Sequence, residues 1–242
     1  MLDWNQIIEG EIILVDKPQG WSSFDVVKRI KGLFYRLNKT KLKIGHAGTL
    51  DPLATGLMVI CTGKKTKIIE GFLHDDKSYS GIIYIGAQTA SYDLESEPEN
   101  FRDISHITAE EIQKAAASFI GEQEQYPPAH SAVKINGKRA YKMARQGLEV
   151  EIKPRIVNIK KFDILRIDKN EIHFYITSSK GTYIRSIASD FGKKLGCGAY
   201  LKYLRREKSG EFSVENARQM DALLDEIQQV FQKHNESQDL NG

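Results

Sequence analysis

One carboxylate, Asp51, stands in a run that is otherwise free of charge. The run reads Gly45-His46-Ala47-Gly48-Thr49-Leu50-Asp51-Pro52-Leu53-Ala54-Thr55-Gly56 and continues into the apolar residues 57–61. Glycine lets a backbone bend sharply and approach a ligand closely, and Pro52 stiffens the residue after the acid. A lone acid held in such a loop is suited to act as a nucleophile or a general base. Asp-Pro also builds ordinary turns, and an Asp before a helix is often only a cap, so the rest of the chain has to decide.

A second group lies at Lys180-Gly181-Thr182-Tyr183-Ile184-Arg185-Ser186, where an alternating strand pattern gives way to a helical one. A cation in the first turn of a helix opposes the helix dipole, and a residue placed against local preference is often held for another purpose. If Arg185 meets Asp51, the opposite charge keeps the carboxylate ionised even when buried. Tyr79 follows Asp75-Asp76-Lys77 on a strand pattern and can present a ring to a base; His46 precedes Asp51 by five residues. On spacing alone these two are weak signals.

The elements that must position these groups read as follows. A strand over 12–15 runs into the turn Asp16-Lys17-Pro18-Gln19-Gly20. Ser22 and Asp25 form a capping-box pattern for a helix burying Val26, Val27, Ile30, Leu33 and Phe34. Residues 57–60 form an anchoring strand, 68–73 a helical turn and 79–86 a strand. Thr108 and Glu111 cap a second helix over Ile112, Ala115, Ala116 and Phe119. An extended segment follows Pro127-Pro128, Asn136-Gly137 makes a turn, and a short basic helix spans 139–146. Strands over 156–167 and 171–178 form a hairpin through Asp168-Lys169-Asn170. A helix over 182–195 and a strand over 199–206 follow. An amphipathic helix over 220–231 and a flexible polar tail from Asn235 end the chain. Strands and helices mix without regular alternation, so the expected fold class is α+β, a mixed, largely antiparallel sheet flanked by helices.

With 242 residues, 40% of them hydrophobic, the chain can bury a substantial core. No apolar run approaches the ~20 residues that cross a bilayer, and the start lacks a signal peptide, so the expected location is the cytoplasm. Cys61 and Cys197 read as reduced core thiols, and the six histidines show no metal-ligand spacing. No metal and no cofactor is expected. The net charge of +3 hides a segregated distribution. Basic residues crowd 133–161 and 193–208, interleaved with Tyr126, Tyr141, Tyr200 and Tyr203, whereas 91–111 is acidic. Cations with interspersed aromatics suit a nucleic-acid backbone with bases presented for stacking, although a charged run is also what an ordinary solvated face looks like.

The Asp51 loop resembles the catalytic motif of the TruB family of tRNA pseudouridine synthases. So do Asp16 to Gly20, Lys77-Ser78-Tyr79, Pro128-Ala129-His130-Ser131-Ala132-Val133-Lys134, Ser179 to Arg185, and Tyr203-Leu204-Arg205-Arg206, all in the family's order. The resemblance implies a pseudouridine synthase catalytic fold over 1–212, and an enzyme that isomerises uridine 55 in the tRNA T loop. It makes Asp51 the catalytic aspartate, Arg185 its ion-pair partner and Tyr79 the tyrosine stacked on the target base. Tyr183 and Leu204 would line the pocket, His46 would touch everted nucleotides, and Lys17 would lie near the substrate. The implied partner is the T arm of tRNA, bound by a monomer through the basic stretches. Residues 213–242 are too few for a PUA domain of ordinary size. Attack by the carboxylate at C1′ of the ribose or at C6 of the base both remain open. The competing reading is a tRNA-binding folding helper that opens the T arm without needing chemistry; a small-molecule enzyme fits the basic, tyrosine-bearing segments poorly.

Overall fold

A computed structural model describes residues 2–128, 134–135, 138–139 and 153–239. Along the chain, helix α1 (Trp4–Glu9) precedes strand β1 (Ile12–Lys17), and α2 (Ser23–Asn38) leads to β2 (Ile44–His46) and β3 (Thr55–Thr62). A 3-10 turn and α3 (Ile69–Leu73) come before β4 (Lys77–Ile85), α4 (Ala109–Ala117) and β5 (Gly121–Gln125). The short pair β6 (Lys134–Ile135) and β7 (Lys138–Arg139) flanks the expected Asn136-Gly137 turn. Then come β8 (Arg155–Asp168), β9 (Glu171–Ser178), α5 (Ile184–Lys194), β10 (Ala199–Ser209), β11 (Phe212–Ser213), β12 (Arg218–Gln219) and α6 (Met220–Asp239). Of the expected basic helix over 139–146, Arg139 falls in β7 and residues 140–146 lie outside the described residues.

The chain divides into two compact units, one of residues 1–77 with 205–242, the other of 78–204. In the first, β1 pairs antiparallel with β3 (Val15 opposite Met58) and parallel with β12 (Val15 opposite Arg218). β3 takes β2 antiparallel and the end of β10 parallel, Arg206 lying opposite Gly56. The apolar run read from the sequence is therefore a central strand, buried on both faces from Gly56 to Thr62. Helices pack through Trp4, whose ring stacks on Phe34 of α2 and meets Phe231 of α6, each at 4.7 Å between centroids.

In the second unit the strand order is β10, β4, β9, β8, β5. The β8–β9 hairpin is antiparallel, and Ile172, Phe174 and Ile176 of β9 are fully buried. Phe162 brings together Phe119, Phe174 and Phe191 at centroid distances of 5.7 to 6.1 Å. The observed architecture is the mixed α+β one expected. Two expectations of extent are corrected. α6 does not stop at 231 but runs to Asp239, and Ser237 Oγ returns to the Lys233 carbonyl. Also, the acidic stretch is not wholly a surface excursion, because Asp93 is 5% exposed. Among the described residues no helix is long and apolar enough to cross a membrane.

Candidate active site

The Asp51 loop is held from several directions by groups of its own unit. At the start of α2, Ser22 accepts from the Asp25 N–H while the Asp25 carboxylate accepts from the Ser22 N–H, which is the capping box read from the sequence. That cap fixes Ser23 as the first residue of α2, beside the loop. Ser23 Oγ accepts from the Leu50 N–H at 2.8 Å and donates to the Leu50 carbonyl at 3.1 Å. One residue past the acid, the Pro52 carbonyl accepts from the Gly20 N–H at 2.8 Å and from Lys17 Nζ at 3.2 Å.

Lys17 is fully buried, and its ammonium also donates to the carbonyls of Pro18 and Trp21. Burial pushes its pKa down from 10.5 to about 8, the nearby Asp51 carboxylate pulling it back up and Arg206 and Asp25 acting more weakly. An ammonium has three protons, and all three have carbonyl acceptors. Lys17, expected among the substrate-binding residues, therefore holds the loop.

Sequence reasoning gave no role in this loop to Arg206. Only 1% exposed, it donates from Nε to the Leu57 carbonyl at 2.6 Å and from Nη2 to the Gly48 carbonyl at 3.2 Å. It thereby ties the two ends of the loop together. Gly56 has a φ of +98°, and a Cβ there would fall 2.4 Å from the Arg206 carbonyl oxygen. The arginine backbone can approach only because the position is glycine. The one hint in the sequence was a doubled arginine inside a strand pattern. Arg205, its neighbour, makes a two-pronged pair with Asp16, at 3.0 and 2.7 Å.

His46 closes this group on β2. Burial, with Arg206 adding repulsion, lowers its pKa against a raising hydrogen bond at Gly48, so the imidazole is neutral at neutral pH. Its Nδ1 is buried with no hydrogen-bond partner among the described residues.

The other expected residues belong to the second unit. Arg185 lies in the first turn of α5, 4% exposed, its Nε 3.6 Å from Asp93 Oδ2 and its Nη1 donating to the Ser91 carbonyl at 3.3 Å. Asp93 was a second residue missed, since nothing local separates it from the surface acids around it. Tyr183 caps the same helix without a side-chain bond. Gln125 pins it instead, accepting from the Tyr183 N–H at 2.8 Å and donating to its carbonyl at 3.1 Å. The Arg155 guanidinium lies 4.7 Å from the Tyr183 ring centroid. Tyr79 is half-buried on β4, and Leu204 is 9% exposed on β10.

The 193–208 stretch also reads differently. Lys193 pairs with Asp190, Lys202 with Glu171, Arg205 with Asp16, and Arg206 is internal. Part of its charge is therefore already paired within the protein.

Comparison with known proteins gives these groups a family. The description "TruB family pseudouridylate synthase (N terminal domain)" matches residues 35–184, and "tRNA pseudouridylate synthase B C-terminal domain" matches 185–241. The tRNA pseudouridine synthase B of Chlorobaculum tepidum is 50% identical over 90% of this chain and 91% of its own. That of Chloroherpeton thalassium is 48% identical over 93% and 94%. Among solved structures, the crystal structure of a Cbf5-Nop10-Gar1 complex matches at 29% identity and a TM-score of 0.70, covering 91% of this chain and 55% of the matched one. With an isolated acid on a tied loop, and with both halves matched by one family over most of their length, the chain belongs to the TruB family of pseudouridylate synthases.

Proposed function

We infer that this protein converts uridine to pseudouridine in tRNA, at position 55 of the T loop, working as a monomer in the cytoplasm. The observation that carries the reading is the Asp51 loop, tied by Ser23, Gly20, Lys17 and Arg206 in a chain of this family. The reaction balances without a cofactor. The N1–C1′ bond breaks, the uracil turns, a C5–C1′ bond forms, C5 loses its proton and N1 gains one. A rigidly held carboxylate suits this, because it reaches the reacting carbon at fixed geometry whether it attacks C1′ or C6.

In this reading Arg185 is the cation that favours the ionised form of Asp51, and Asp93 orients its guanidinium. Tyr79 stacks on the target base, Tyr183 and Leu204 wall the pocket, and neutral His46 contacts the flipped-out nucleotides. Lys17 serves the substrate through the loop it holds. Flipping the base costs a few kcal/mol, of which stacking returns roughly 1–3 kcal/mol.

The test uses unmodified tRNA carrying tritium at uridine C5. Wild type is expected to release tritium from one site that maps to position 55, and Asp51→Asn to release none while still binding tRNA. Binding with no release from wild type would instead favour a folding helper.

A further inference from the structure

A cavity of about 550 Å³ opens between α2 and α6. Its wall holds three cations, Lys28, Arg29 and Arg36, together with Trp21. Among the described residues no ion pair engages any of the three. The one acid there, Asp25, accepts from the N–H and hydroxyl of Ser22 and also feels the charge of Lys28, leaving Arg29 and Arg36 without an acid beside them in the groove. The α2 face beside it is aromatic as well as basic, with Phe24 69% and Tyr35 54% exposed.

Two further observations point to an occupant. Gly32 sits in the middle of α2 on the cavity wall, exposed, and a Cβ there would meet no heavy atom within 4 Å. Glycine inside a helix costs about 1 kcal/mol against alanine, and no neighbour within the protein requires it here. The groove also begins at Gly20, whose N–H bonds Pro52, the residue after Asp51. Lys28 and Arg29 precede residue 35, where the N-terminal family match starts.

We propose that the α2–α6 groove binds the RNA strand that continues from the reacting uridine, with phosphates on Lys28, Arg29 and Arg36 and a base against Trp21. This rests on tRNA being the substrate. Cations outside any ion pair, set beside aromatic rings, are what a single strand requires, and the volume is that of a small-ligand site able to hold a nucleotide.

Three variants test it, each bound to unmodified tRNA transcript across a salt series and assayed for tritium release. Lys28→Gln/Arg29→Gln/Arg36→Gln is expected to lower the salt slope of binding by about 2 and to weaken binding roughly tenfold at 150 mM salt, the kinetic loss falling on KM. Gly32→Phe, which fills the groove without changing charge, is expected to weaken binding as well. Trp21→Phe is expected to remove most of the tRNA-induced quenching of tryptophan fluorescence, because the chain's other tryptophan, Trp4, is buried against Phe34. An unaltered slope in the triple variant overturns the proposal while leaving the isomerase reading intact, provided wild type binds and reacts. An equal loss in Lys64→Gln/Lys65→Gln/Lys67→Gln also overturns it, since net charge alone would then suffice. Failure of wild type to bind tRNA overturns both readings.

Discussion

At the scale of single residues, catalysis in this reading depends on groups that never touch the substrate. Arg206 and Gly56 form a matched pair, and Gly56→Ala forces a Cβ into the arginine backbone at a left-handed φ. The expected result is a loss of about 2–4 kcal/mol in urea unfolding, with activity falling further than the unfolded fraction explains. Lys17 sets a pH dependence. Its folded pKa of about 8 lies below the 10.5 of the free side chain, so between those values the unfolded chain binds more protons. Stability should therefore rise with pH from about 8 to 10.5 and be level, for this group, below 8. In Lys17→Met that rise should vanish, and the carbonyls of Pro18, Trp21 and Pro52 should lose their shared donor, lowering stability by about 1–3 kcal/mol. Denaturant melts at several pH values read both effects. Asp93→Asn should leave the buried Arg185 guanidinium with a neutral neighbour; kcat is expected to fall at least tenfold with little change in KM.

At the scale of elements, much was legible in advance, and where it was not the reason is physical. Both capping boxes, Ser22 with Asp25 and Thr108 with Glu111, are local signals and were read correctly. The alternation of β9 and the apolar run of β3 were equally plain, because burial of a face writes itself into every second residue, or into every residue. α1 left no such trace: six residues hold only two buried positions, Trp4 and Ile7. β5 reads Gly-Glu-Gln-Glu-Gln, a poor strand composition, and becomes one because β8 offers it an edge. The site divided along the same line. Glycines, proline and acid sat together in one loop, while Arg206 and Asp93 act across long separations with no local mark. Ser23→Ala tests how far an element serves the loop. It leaves the buried Leu50 N–H without its partner, and about 1–3 kcal/mol should be lost in thermal melts, with tritium release reduced while the helical circular dichroism is kept.

At the scale of the whole molecule, charge is better judged by partners than by counts. The 193–208 run has six cations, but several are paired or buried, so Lys202→Gln is expected to leave the salt slope of tRNA binding within experimental error of wild type. The layout of the first unit has another consequence. It is assembled from residues 1–77 and 205–242, and the bond from Arg206 to Leu57 spans 149 residues. A ribosome adding about 5–20 residues per second needs roughly 7 to 30 seconds to pass from the loop to the arginine that ties it. Throughout that interval the nascent chain holds its acid by the earlier ties alone, and the clasp closes only after residue 206 has been made.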